Sequence, residues 1–229
     1  MKLLVSDFDN TLYNDDYLEN IRLINEFVLK GNLFVIATGR SLFNLKKGID
    51  NYHIPYSYLI CNDGATIFDQ NNKVIMENVI SKKIVAKVFN KLKTYNLDEV
   101  LVVNENEFSS NLTGKVFSVI AKFSDKEEAF KIISDIEKDI PEVQGYLSTN
   151  WINIISINQT KGNAIKYLQK KLNIDNKDIY TIGDAVNDIP MNKLYNGYAI
   201  NSNCEELIKV SNGELTSFKQ IFEKILEDN

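Results

Sequence analysis

Apolar residues along the chain come first as short unbroken runs, each cut off by small or polar residues. Residues 3–5 precede Ser6-Asp7, 34–37 precede Thr38-Gly39, and 58–61 precede Asn62-Asp63-Gly64; 179–182 precede Gly183-Asp184, and 198–200 precede Asn201. Runs of this length without alternation predict strands buried on both faces of a parallel sheet. Between them the period changes. Leu18, Ile21, Ile24, Phe27 and Val28 recur at helical spacing within 18–30, as do Ile165, Leu168 and Leu172 within 164–172. Strand and helix in alternation predict βαβ units and an α/β fold with a Rossmann-like open parallel sheet. In such a sheet ligands sit beyond the carboxyl ends of the strands, so the polar residues closing each run are expected to converge on one edge.

The middle of the chain follows another pattern. Residues 66–68 and 74–76 flank Asp69-Gln70-Asn71-Asn72, a predicted hairpin. A helix is expected over 81–95, with Ser81 as N-cap and Ile84, Val85, Val88, Phe89 and Leu92 on one face, and a second over 126–138, closed by Ile140-Pro141. Strands are expected at 100–103, 116–123, 143–147 and 151–157. This order describes a small α+β domain inserted into the α/β one, dividing the chain into 1–79, 80–154 and 155–229.

Composition narrows the function classes. The 229 residues are 44% hydrophobic and 25% charged, with a net charge of −5. That is ordinary globular composition, and its mild acidity argues against nucleic acid or an anionic membrane as partner. A carboxylate at position 7 interrupts the first apolar run too early for a signal peptide, and no stretch approaches the ~18 apolar residues of a membrane span. Cys61 and Cys204 lack metal-cluster or disulfide spacing, and Cys61 reads as a core thiol. A cytoplasmic location is the expectation. No pattern sets an oligomeric state.

The candidate chemistry lies at the strand ends. Asp7 and Asp9 crowd two carboxylates together, which is unfavourable unless a cation or shared proton neutralises them; a hard divalent cation such as Mg²⁺ answers that need. Asp-x-Asp pairs also serve as turn caps. Gly183 permits a tight exit from its strand, and a helix starting there would stack Asp184 and Asp188 on one face. Acids at a helix N-terminus are also favoured by the dipole alone. Thr38-Gly39-Arg40 offers a hydroxyl and free N–H groups for a phosphate, or merely an N-cap at Thr38 or Ser41. Lys161, before Gly162 and a helix, is either a cation for phosphate and the acidic cluster or solvated surface. His53, Trp151, Lys82 and Lys83 read as structural or solvated positions, and Tyr13 and Tyr17 equally as surface packing or part of a flap.

Taken in order, Asp-x-Asp-x-Thr-Leu from residue 7, Thr-Gly-Arg from 38, Asn-Asp-Gly from 62, Lys-Gly at 161 and Gly-Asp-x-x-Asn-Asp-x-x-Met from 183 resemble the haloacid dehalogenase-like phosphatase superfamily, in particular its Cof-type sugar-phosphatase branch. The resemblance implies an Mg²⁺-dependent phosphohydrolase acting on a small phosphorylated metabolite. It implies Asp7 as nucleophile and Asp9 as general acid, then base. It implies Thr38, Gly39, Lys161 and Asn187 as phosphate-side contacts, and Asp7, Asp9, Asp184 and Asp188 about the metal, Asp9 through its backbone carbonyl. The inserted domain then matches the family's cap, short enough to be similar to those of phosphoglycolate phosphatases. Asn201-Ser202-Asn203-Cys204 departs from the family's usual Asn-Ala pattern. A phosphomutase or phosphotransferase using the same intermediate, a non-catalytic binding protein on this fold and a receiver-type module are the competing readings.

Overall fold

A computed structural model describes residues 1–105, 108–112 and 114–227. The first layer is built from β1 (Leu3–Ser6), α1 (Tyr17–Leu29), β2 (Leu33–Ala37), α2 (Leu42–Ile49), β3 (Tyr58–Cys61), β4 (Thr66–Asp69) and β5 (Val74–Glu77). The second comprises α3 (Lys82–Leu92), β6 (Glu99–Asn104), β7 (Phe108–Ser109), β8 (Val116–Lys122), α4 (Lys126–Asp139), β9 (Val143–Ser148) and β10 (Trp151–Ser156). The chain then returns to the first with α5 (Lys161–Leu172), β11 (Ile179–Gly183), α6 (Ile189–Asn192), β12 (Asn196–Ile200), α7 (Glu205–Val210), β13 (Glu214–Leu215) and α8 (Lys219–Glu227).

The first layer is one sheet in the order β13-β12-β11-β1-β2-β3-β4-β5. All pairs from β13 to β3 are parallel, and β4 and β5 add an antiparallel hairpin. The central strand shows why its sequence is apolar throughout. Leu4 packs into a core on one face with Phe8, Phe34 and Tyr180, while Leu3 and Val5 pack into a core on the other with Ala164, Ile165 and Met191. Both faces are covered, so no polar alternation survives.

The second layer is an antiparallel sheet in the order β7-β6-β8-β10-β9. Here alternation matters. Val102, Val119, Ala121, Ile152 and Ile154 face α3 and α4 and form a separate core with Val88, Ile132 and Ile136. Ser81 and Asp125 cap the two helices, accepting the N–H of Ile84 and of Glu128. The opposite face carries Ser118, Ile120, Tyr146 and Asn153, and it roofs the carboxyl edge of the parallel sheet. The fold is thus a Rossmann-like α/β core with an α+β cap. Among the described residues, no helix is long and apolar enough to cross a membrane.

Candidate active site

Three strand exits place the acidic residues. Asp7 follows β1, and its N–H still bonds to the carbonyl of Ile182 on β11 at 2.9 Å. Next door, β11 ends at Gly183, and the chain turns back through a 3₁₀ turn, Val186–Asp188, before α6. The expected helix stacking Asp184 on Asp188 does not form, because the α-helix starts only at Ile189, with Pro190 in its first turn. Asp188 instead folds under the strand end, where its Oδ2 accepts the N–H groups of Asp184 (3.0 Å) and Ala185 (3.1 Å). Gly183 is needed for this. A Cβ there would stand 2.3 Å from the Asp188 carboxyl carbon.

Lys161 opens α5 behind its N-cap Thr160, whose hydroxyl accepts the N–H of Asn163. It is fully buried, and its Nζ donates to Asp7 Oδ1 at 2.5 Å and to Asp188 Oδ1 at 2.7 Å. Burial alone would push the ammonium toward neutrality, but Asp188 and Asp7 outweigh it and hold its pKa above the ordinary lysine value. Burial raises the Asp7 carboxyl well above the usual carboxylate range; Lys161 opposes the shift, and Asp188 and Asp184 add to it. Asp184 is raised too, by burial first and then by Asp188; Thr11 and Asn10 donate to its two oxygens. One lysine therefore faces three carboxylates, which leaves room for more positive charge.

An oxygen from each of Asp7, Asp184 and Asp188 lies within 4.8 Å of the other two. An all-oxygen set suits a hard cation, and Mg²⁺ asks for only one or two carboxylates beside water and phosphate. Asp188 already serves Lys161 and two N–H groups, so Asp7 and Asp184 are the carboxylates with capacity to spare. The residues present fit Mg²⁺. The side chain of Asp9, expected to move protons and not to hold the metal, stands outside this group. It is gripped bidentately by Arg40, with Nη2 to Oδ1 at 2.5 Å and Nε to Oδ2 at 2.9 Å, and the guanidinium lies over the Phe8 ring.

Thr38 and Gly39 follow β2 and border the same cavity. Thr38 is not the cap of α2: its Oγ1 accepts the Arg40 N–H, and Ser41 caps the helix by accepting the N–H of Asn44. Asn187 also borders the cavity, with its amide held by Asp63 Oδ1 at 2.9 Å. Asp63 is a hub that the sequence motif did not single out. It lies in a turn where Asn62 and Asp63 have left-handed φ of 51° and 55°. Its Oδ2 accepts the hydroxyl of Tyr146, from β9 of the cap, at 2.7 Å. Burial, with Asp63 alongside, raises the Tyr146 pKa, so the phenol stays a donor. Gly64 completes the turn with φ +97°, and a Cβ there would lie 2.2 Å from the Thr160 carbonyl at the head of α5.

The cavity between the two layers measures about 320 Å³. Its floor is Asp7, Thr38, Gly39 and Asp184; its roof is Ser118, Tyr146 and Asn153 of the cap. Arg40 and Asp63 were visible within their motifs, but nothing in the sequence showed that one would hold Asp9 and the other the cap. Cys61 is core, where burial raises its thiol pKa, and Tyr17 packs edge-on against Tyr13 and Tyr52. Trp151 is half-buried at the start of β10. It lies outside the cap core and walls a second cavity.

A family model described as haloacid dehalogenase-like hydrolase matches residues 4–113 and 101–220. An uncharacterized protein of Mycoplasma capricolum subsp. capricolum is 32% identical over 235 residues, spanning 85% of this chain and 88% of its own. A 5-amino-6-(5-phospho-D-ribitylamino)uracil phosphatase of Bacillus subtilis is 26% identical, spanning 91% of this chain and 87% of its own. Among solved structures, a haloacid dehalogenase-like hydrolase from B. subtilis superposes with a TM-score of 0.86 at 18% identity, covering 99% of both chains.

Proposed function

The chain belongs to the haloacid dehalogenase-like hydrolases, and from that premise we propose that it is an Mg²⁺-dependent phosphatase that cleaves small-molecule phosphate monoesters through an aspartyl-phosphate on Asp7. The observation that carries this reading is the Asp7–Lys161–Asp188 chain: a carboxylate at the cavity floor, held at one oxygen by a buried ammonium that a second, fully buried carboxylate fixes in turn.

Lys161 occupies Asp7 Oδ1, so the other oxygen is the one to attack phosphorus. As the bond from Asp7 to phosphorus forms, the bond to the ester oxygen breaks and the leaving alkoxide takes a proton from Asp9. Asp9 borders the cavity and reaches this task by exchanging Arg40 for the ester oxygen. In the second half Asp9 takes a proton from water as that water attacks phosphorus, which releases inorganic phosphate and restores Asp7. Thr38 and the N–H groups around Gly39 border the space a phosphoryl group would fill, and Lys161 offsets charge during transfer. Held by Asp7 and Asp184, Mg²⁺ would supply positive charge to the phosphoryl oxygens. The cap, by roofing the cavity, excludes water and meets the leaving group.

Phosphate release from a panel of monoesters tests the reading, with the ester named for the Bacillus relative included. Turnover should need Mg²⁺, stop with EDTA and fall by about 10³-fold or more in Asp7→Asn. An Asp7→Asn enzyme that keeps the wild-type rate ends the proposal.

A further inference from the structure

On the open face of the cap sheet, residues directly opposite across the ladder point the same way and form rows. One row holds Ser118 and Val103, the next Tyr146, Asn153, Ile120 and Leu101, and the third Ser148, Trp151, Lys122 and Glu99. The cavity containing Asp7 lies under the first two. A second cavity, of about 380 Å³, opens toward the third and is walled by Leu101, Trp151 and Glu99. Phe108, Ile120, Ser148 and Asn153 wall both, so the two are joined side to side.

The walls change character along this path. Beside Asp7 the cap offers the polar groups of Ser118, Tyr146 and Asn153. In the second cavity the surface is aromatic and aliphatic. Phe108 is 57% exposed, and Trp151 is only half-buried, whereas Ile152 and Ile154 beside it are sealed under the helices. An indole and a phenyl lining one cavity favour a flat apolar surface between them. Glu99, on the far wall, can accept an N–H, and Lys122 stands in the same row opposite both Glu99 and Trp151, so the two charges offset one another.

We propose that the second cavity is the subsite for the far end of the leaving group, that it takes a planar ring carried on a hydroxylated chain, and that Trp151 is its specificity-determining residue. The inference rests on the phosphatase reading above. Ser118 and Lys122 are four residues apart on β8, roughly 13 Å. A short ester bound at Asp7 stops before Trp151.

Riboflavin 5′-phosphate and ribitol 5-phosphate, one chain with and without a ring, separate the possibilities in steady-state assays with Mg²⁺. The wild type should prefer the ring-bearing ester by about tenfold in kcat/KM, an increment typical of one aromatic contact. Trp151→Ala should erase that preference through KM and leave ribitol 5-phosphate unchanged; Trp151→Phe should restore most of it. Trp151 is the only tryptophan, so its emission should also be quenched saturably by riboflavin and not by ribitol. Equal hydrolysis of the two esters, or a preference that survives in Trp151→Ala, overturns the subsite and leaves the phosphatase reading standing. Turnover of other monoesters without the ring-bearing one does the same. Silence on every ester, p-nitrophenyl phosphate included, overturns both.

Discussion

Asp7 is the residue at which chemistry and stability pull apart. Its folded pKa lies above the unfolded value of about 3.9, so the native state binds its proton more tightly than the unfolded chain does. The stability this provides is complete below that unfolded value and is lost as pH rises through the folded one. Without metal, the wild type should therefore lose melting temperature relative to Asp7→Asn as pH rises above that unfolded value, and the variant should end the more stable of the two. Added Mg²⁺ should raise the wild type and close the gap. Parallel melting curves for the two proteins would refute the account. At this scale the sequence revealed the acids, because their clusters open where an apolar run stops, and the lysine, because it precedes Gly162 and a helix. It could not reveal that Arg40 holds Asp9 or that Asp63 holds Tyr146. Those pairs lie 31 and 83 residues apart, and only the fold brings them into contact.

Among elements, the exit of β11 is the least forgiving. Asp188 can reach back to two backbone N–H groups and to Lys161 only because position 183 has no side chain. Gly183→Ala should cost about 1–3 kcal/mol by overpacking, and the activity remaining in folded protein should fall further than the stability loss explains, since Asp188 must move off Lys161. Denaturant titration beside phosphate-release assays checks both; a variant matching wild type in each would contradict the packing. The central strands, α1 and the two cap helices were legible because their apolar spacing has one period each, and Ser81 was legible as a cap; the Asp125 cap was not singled out. The turn at 184–188 was not legible. Two acids four apart suggest a helix, and the bonds that make a turn there instead run from the N–H groups of Asp184 and Ala185 to Asp188, whose other oxygen is held by Lys161 from the head of α5. The two-residue β7 and β13 are too short to show any period.

For the whole molecule, the contact between Tyr146 and Asp63 ties roof to floor. Tyr146→Phe would leave a largely buried carboxylate oxygen without its donor, a loss of about 1–3 kcal/mol. Its expected effects are faster hydrogen exchange in β9 and a raised KM, with the parallel sheet as protected as before; unchanged exchange in β9 would show that the cap is held by other contacts. The division into a parallel layer and an inserted antiparallel one was legible from the change of period along the chain, while the orientation of the open cap face was not, because β-strand alternation fixes two faces without saying which one meets the core. The pairing of β1 with β11 joins residues about 176 positions apart, Leu3 beside Ile179. During synthesis, then, the first strand waits without that neighbour while the entire antiparallel layer, whose partners are close in sequence, leaves the ribosome and can close. Its closure draws the two halves of the parallel layer together and shortens the loop that β1 and β11 must span, so the order of assembly runs from roof to floor.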